Sequence, residues 1–367
     1  MVNREHPRKL DVAVLGATGA VGQRFIQLLE NHPWFRVAEV VGSSRSASRP
    51  YGEAVNWVLD GSAPESAANL IVKPLEAALT SPLVFSALPK EAAETREIEL
   101  AAAGHVVCTN ASANRMVVDV PLLLPEANAE HVRLVDIQRE KRGWTTGAII
   151  ANSNCTAMPV VMALAPLRQF GIKRIFVVSA QAISGAGYPG VASLDILDNI
   201  IPYVSGDEDK LETEPLKMLG ALDGDSIVWL DAAVSAACNR VPVVDGHLVN
   251  VSVELAARPT MVEIIEAWET FRGPEPVPQL PSAPEKPVQY LPQIDRPQSR
   301  RDRNAGNGMA TSVGRLRECA LLGYKFAALS HNTIRGAAGC SILNAELLAV
   351  TGYLADFQPA TAVYSAQ

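Results

Sequence analysis

A short apolar strand, a glycine turn and an amphipathic helix follow one another near the start of the chain, and that order constrains the fold more than any other feature. Leu10-Asp11-Val12-Ala13-Val14-Leu15 reads as a buried strand. Gly16-Ala17-Thr18-Gly19-Ala20-Val21-Gly22 ends it, and Val21, Phe25, Leu28 and Leu29 then recur at helical spacing. Such a unit opens a parallel, doubly wound sheet, and its glycines let backbone N–H groups approach a pyrophosphate at the helix N-terminus. Gly16, Thr18, Gly19, Ala20, Val21 and Gly22 are therefore candidate cofactor contacts. The spacing is GxxGxxG and not GxGxxG, so a tight strand-to-helix turn without a ligand also fits it.

The next strand narrows the choice. Arg36-Val37-Ala38-Glu39-Val40-Val41 runs into Gly42-Ser43-Ser44-Arg45-Ser46. An acidic residue here would select the free ribose hydroxyl of NAD, whereas hydroxyls plus an arginine donate to and neutralise a 2′-phosphate. Ser43, Ser44 and Arg45 thus point to NADP, with a solvated polar loop as the competing explanation. Glu39 reads as a charge on a sheet face. Leu83–Leu88 and His105–Cys108 supply further strands, separated by a helical stretch at 91–103. Ser86 and Asn110 fall at or just beyond strand C-termini, where such sheets bind ligands, although either can simply cap a turn.

A chain of 367 residues is too long for one ordinary core, which predicts two domains. From residue 172 longer alternating runs, 173–180 and 248–255, suggest a mixed sheet with one face solvated or paired. Eight prolines between 274 and 297 exclude a helix or central strand and read as an extended arm over the surface or a subunit interface. The last helix, around 338–354, is apolar enough to pack back on the first domain. A net charge of −7 without a basic patch argues against a nucleic-acid partner. No apolar stretch approaches the ~20 residues of a membrane span. Five unclustered cysteines fit neither a disulfide framework nor a zinc site; they predict a reducing, cytoplasmic setting and no metal.

Catalysis is expected at Ala151-Asn152-Ser153-Asn154-Cys155-Thr156, between the strand-like Gly147–Ile150 and a helix whose first turn tolerates Pro159. A cysteine at a helix N-terminus meets unpaired N–H groups and a positive dipole end, which favour a thiolate and can hold an oxyanion. A small buried hydrophobe is the plain alternative. Arg240 and His247 lie seven residues apart across a Pro/Gly-interrupted segment. The arginine fork suits a carboxylate, and the histidine can move a proton near neutrality. Glu214 and Lys217 share one helical face, a pairing that alone usually belongs to the surface, as does Arg115 in its loop. Gln181 precedes a glycine-rich loop, Ser184-Gly185-Ala186-Gly187-Tyr188, suited to close approach of a ligand or nicotinamide.

Taken in order, GATGAVG, SSRS, SANRM, SNCT, QAISGAGYPG, ETEPLKM, CNRVPVVDGH, RNAGNGM and HNTIRGAAG resemble the aspartate-β-semialdehyde dehydrogenase family, in its archaeal and fungal branch, across nearly the whole chain. The resemblance implies an α/β chain: a Rossmann-type NADP-binding domain, 1–154 completed by 333–367, plus a mixed α+β catalytic and dimerisation domain, 155–332. It also implies a homodimer or homotetramer. Cys155 would attack the acyl phosphate of L-4-aspartyl phosphate to leave a thioester, which NADPH would reduce to the semialdehyde. His247 would be the general acid/base, and Gln181 would orient the acyl group. Arg240 would hold the substrate carboxylate with Glu214 beside the amino group, Arg115 and Lys217 would bind phosphate, and Asn154 would join the substrate site. Ser184, Gly185 and Asn332 would lie at the nicotinamide. Two alternatives remain: a malonyl-CoA reductase of the same fold, disfavoured by the Glu214/Lys217 pair, and a non-catalytic NADP-binding regulator.

Overall fold

The computed structural model describes residues 9–355, 357 and 359, so both ends of the predicted domain pair, 1–8 and most of 356–367, lie outside the described residues. The opening unit folds as read: strand β1 (Leu10–Leu15), the glycine turn, then helix Ala20–Leu29 with Phe25, Ile26 and Leu29 inward. With β2 (Phe35–Val41), β3 (Val72–Lys73), β4 (Leu83–Ser86), β5 (Val106–Thr109), β6 (Leu122–Leu123) and β7 (Ala148–Asn152) it makes a parallel sheet ordered β3-β2-β1-β4-β5-β7-β6. The order reverses between β1 and β4, so the crevice for a ligand opens beyond their C-terminal ends. Glu39 carries its charge below the surface. It is buried, and it accepts from Lys73 Nζ at 2.5 Å and from the backbone N–H of Thr80 and Ser81.

The second sheet begins with β8 (Ile172–Gln181). A small hairpin, β9 (Ala221–Asp223) and β10 (Ser226–Val228), stands apart from it. β11 (Ala233–Arg240), β12 (His247–Leu255), β13 (Val288–Leu291), β14 (Thr311–Cys319) and β15 (Gly323–Ser330) complete it in the order β11-β8-β12-β15-β14-β13, with parallel and antiparallel pairs. The proline-rich segment is more than an arm: its residues 288–291 add β13 as an edge strand parallel to β14, where missing N–H donors cost least.

Helix Ala157–Leu164 is buried along its length and packs on β12, β14 and β15, and the indole N–H of Trp268 donates to Ala163 O at 2.8 Å near its end. The chain returns to the first sheet through one π-helical turn, Ile334–Ala338, and helix Gly339–Val350, which packs on β5 and β7. Arg335 in that turn is fully buried, its guanidinium forked onto both oxygens of Glu126 at 2.8 and 2.7 Å. The pair fixes where the turn sits, because either charge left alone at that depth would be strongly destabilising.

Candidate active site

β7 delivers Asn152, Ser153, Asn154 and Cys155 to the mouth of the central helix. Asn154 is bonded on three sides. Its Oδ1 accepts from the N–H groups of Thr156 and Ala157, its Nδ2 donates to Asp207, and its backbone N–H donates to Glu214. The helix N–H groups expected to hold an oxyanion are therefore already taken, at Thr156 and Ala157, by this side-chain cap. Burial, followed by the charge of Asp207, pushes Cys155 up to about 11 against the opposing pull of Arg115 and Arg240. Gly336 of the π turn packs on the cysteine, and a Cβ there would lie 2.7 Å from Cys155 Cβ.

His247 Nε2 stands 3.2 Å from Cys155 Sγ. Its Nδ1 accepts the Ala182 N–H at 3.1 Å, which puts the proton of a neutral ring on Nε2, facing the sulfur. Burial, then Arg240 and His331, lower this histidine to about 3, so the ring rests neutral. Arg240, at the end of β11, spends Nη1 on Ala182 O and otherwise faces a cavity of about 660 Å³ that Cys155 also lines. Gly185 closes on both residues, since a Cβ there would stand 3.0 Å from Arg240 Nη1 and from the His247 ring. Asn332 joins the two loops, accepting the Gly246 N–H and donating to Ser184 Oγ, each at 2.8 Å.

The cavity gathers Val21, Asn110, Arg115, Asn154, Cys155, Ser184, Gly185, Arg240 and Asn332 from the residues expected at the site. Gln181 and His247 are buried behind this wall, and the Gln181 amide donates to Ser179 Oγ. Ser86 is fully buried within β4, and what it offers its neighbour is its backbone carbonyl, to the Asn110 N–H. Arg115 is buried rather than superficial, with Nη1 on Glu214, Nη2 on Asn110 O and Nε unpartnered.

The acid–base pair lies behind the cavity wall. Glu214 and Lys217 do share one face of helix Asp207–Met218, but that part of the helix is buried and does not reach the cavity. All three Lys217 ammonium protons are donated to carbonyls, those of Arg115, Val117 and Val120, at 2.7, 2.9 and 2.9 Å. Two turns earlier on the same stripe, Asp207 and Lys210 do face the cavity and pair at 3.0 Å. Sequence reasoning passed over them, as it did Gly336, Thr333 and Lys90 on the same wall.

On the cofactor side, Gly16 has φ +69° and any Cβ would meet Ala87 O at 2.7 Å; at Gly22 a Cβ would meet Gly16 O at 2.1 Å. The turn is a cradle only bare backbone can form, and no side chain caps helix Ala20–Leu29 at Gly19. Ser43, Ser44 and Arg45 are exposed beyond β2. Backbone N–H groups, two hydroxyls and a guanidinium fit the phosphates of NADP.

Residues 11–135 match the family described as semialdehyde dehydrogenase, NAD binding domain, and residues 164–335 its dimerisation domain. The aspartate-semialdehyde dehydrogenase of Archaeoglobus fulgidus is 48% identical over 93% of this chain and 98% of its own. This chain belongs to the aspartate-semialdehyde dehydrogenase family. The enzyme of that name from Aspergillus fumigatus is 42% identical over 95% of this chain and 99% of its own. A crystal structure of aspartate semialdehyde dehydrogenase with NADP from Candida albicans superposes with a TM-score of 0.86 at 39% identity, covering 94% of this chain and all of that one. Membership makes the chain an oxidoreductase with a nicotinamide-binding and a dimerisation domain. Among the described residues no helix is long and apolar enough to cross a membrane.

Proposed function

We propose that this chain catalyses NADPH-dependent reductive dephosphorylation of L-4-aspartyl phosphate to L-aspartate 4-semialdehyde, a step in making Lys, Thr, Met and Ile from aspartate. The carrying observation is Cys155 Sγ 3.2 Å from His247 Nε2, beside a cavity lined by two buried arginines and by Val21 of the helix that follows the glycine turn. Cys155, its proton lost to solvent, attacks the acyl carbon as the thiolate; the bond from that carbon to the phosphate oxygen breaks, phosphate departs with the electron pair, and a thioester remains on sulfur. When bound, NADPH supplies the hydride that reduces this acyl group. As the sulfur leaves with its electron pair, the His247 Nε2–H stands to donate a hydrogen bond to the thiolate, and through it the ring would govern the acid/base state of the sulfur.

Arg240 suits the substrate carboxylate because its unspent guanidinium edge fronts the cavity. Arg115 with Lys217 suits the phosphate, and Glu214, held beside Asn154, suits the amino group. Asn332 and the Ser184–Gly185 loop suit the nicotinamide end, and the Ser43–Arg45 stretch the 2′-phosphate. Residues 1–154 with 333–367 would then bind cofactor, while 155–332 would carry catalysis and a homodimer or homotetramer interface.

The test is phosphate-dependent reduction of NADP with L-aspartate semialdehyde, run against malonate semialdehyde plus CoA. Turnover with the first pair, abolished in Cys155→Ser, is expected; turnover only with the second would replace this substrate with a CoA thioester.

A further inference from the structure

Thr156 follows Cys155 in the chain and is fully buried, and its hydroxyl has no hydrogen-bond partner among the described residues. A threonine at the start of a helix ordinarily caps the N–H of the second or third helical residue. Neither is open to it here. In helix Ala157–Leu164 those residues are Met158 and Pro159. The Met158 N–H already donates to Asn154 O at 3.2 Å, and a proline has no N–H to offer. The N–H groups of Thr156 and Ala157 go to Asn154 Oδ1. Asn154 thus closes the helix end by itself and leaves the Thr156 hydroxyl without a capping role. Thr156 does not line the cavity, while Cys155 does.

An unpaired buried hydroxyl is costly, and a neighbour that becomes a strong acceptor only during the reaction would account for it. The Cys155 sulfur is such a neighbour: weak as a thiol, strong once it is a thiolate. It carries negative charge before it attacks and again when it leaves. Burial and Asp207 push the thiol up, while Arg115, Arg240 and the Thr156 hydroxyl pull it down. One donor is in place, the His247 Nε2–H at 3.2 Å, and the first helix N–H groups are spent on Asn154. We propose that Thr156 is a catalytic residue whose hydroxyl is the second donor to the Cys155 thiolate. No covalent bond of the threonine changes: the hydroxyl turns to the sulfur, donates a hydrogen bond and keeps its proton.

This inference rests on Cys155 being the nucleophile, and the experiment separates the two. Thr156→Val keeps the side-chain shape and loses the hydroxyl; Thr156→Ser keeps the hydroxyl and loses a methyl. Iodoacetamide labelling of the free enzyme at pH 8 is followed by mass spectrometry of the peptide that carries residue 155. Losing a hydrogen bond to a charged group should lower the thiolate fraction of Thr156→Val about tenfold. The freer thiolate is the better nucleophile, which returns about half of that loss on a logarithmic scale, so labelling should slow about threefold. In turnover, kcat should fall about three- to tenfold with the semialdehyde KM within about twofold, because the hydroxyl touches no substrate. Thr156→Ser should stay within about twofold of the parent in both measurements.

Stability separates this role from packing. Thr156→Val removes an unpartnered buried polar group and should melt at or above the parent temperature, while Thr156→Ser opens a small gap and should melt lower. Activity and stability then rank the two variants in opposite orders, which a packing role does not produce. Parent-like labelling and turnover in Thr156→Val would overturn the proposal. So would a lowered melt in that variant, which would give the hydroxyl a partner in the resting fold. Equal losses in both variants would mean that the side chain acts by its shape. Turnover retained in Cys155→Ser would remove the nucleophile and with it the catalytic role of Thr156, whereas labelling would still read the contact between hydroxyl and sulfur.

Discussion

Desolvation and the charge of Asp207 push the half-buried Cys155 up to about 11, so below that value its thiolate fraction grows about tenfold per pH unit. Alkylation of the free enzyme by iodoacetamide should therefore keep accelerating from pH 7 to 10, and a plateau below pH 8 would contradict the burial described here. A second residue-scale prediction concerns Arg45, exposed beyond β2. Arg45→Ala should raise the KM for NADP far more than that for NAD, because only NADP carries the 2′-phosphate; equal effects would place Arg45 elsewhere. At this scale the sequence was readable where one residue type has one job. Cys155, His247 and Arg240 converge as expected. The stripe 207, 210, 214, 217 was not readable in the same way, because all four share a helical face and only tertiary placement decides which turn meets the cavity.

The elements around the site divide along the same line. The strand, glycine turn and helix at the start were legible because the pattern is contiguous in the sequence and part of its demand is local: a Cβ at Gly22 would meet Gly16 O within the same turn. Gly336 is required by a residue far away in the chain, and the π turn that carries it breaks the 3.6-residue period before helix Gly339–Val350 begins. Nothing local marks it. Adding a methyl at 336 must displace Cys155, which sits 2.7 Å from the new carbon. Gly336→Ala should therefore cut turnover by well over tenfold, while NADPH binding, followed by fluorescence titration, stays near the parent value because the cradle lies on another element. If the variant turns over normally, the turn is not packed on the nucleophile as described.

For the whole molecule, the second sheet leaves a face to be accounted for. Along β8 the side chains of Ile175, Val177, Ser179 and Gln181 are buried, while Arg174, Phe176, Val178 and Ala180 look outward with partial exposure. The outward row runs across the strands, with Ala237 of β11 beside Val178 and Val178 beside Asn250 of β12. Around Val178 that surface carries small and amide side chains beside the exposed ring of Phe176, which suits a second copy packed face to face, and residues 164–335 match a dimerisation domain. The same strands end at Gln181, Arg240 and His247, so an interface on this face would brace the catalytic ends from behind. Val178→Lys combined with Asn250→Lys puts two charges per copy in the middle of the face without touching the inward core. Light scattering should then show the molar mass falling to that of one chain, with the cooperative melt retained, since the row faces outward in the single chain. Turnover should fall along with the mass if the interface braces the site. An unchanged mass would move the interface to another surface, and the partly exposed row of β8 would be an ordinary solvated sheet face.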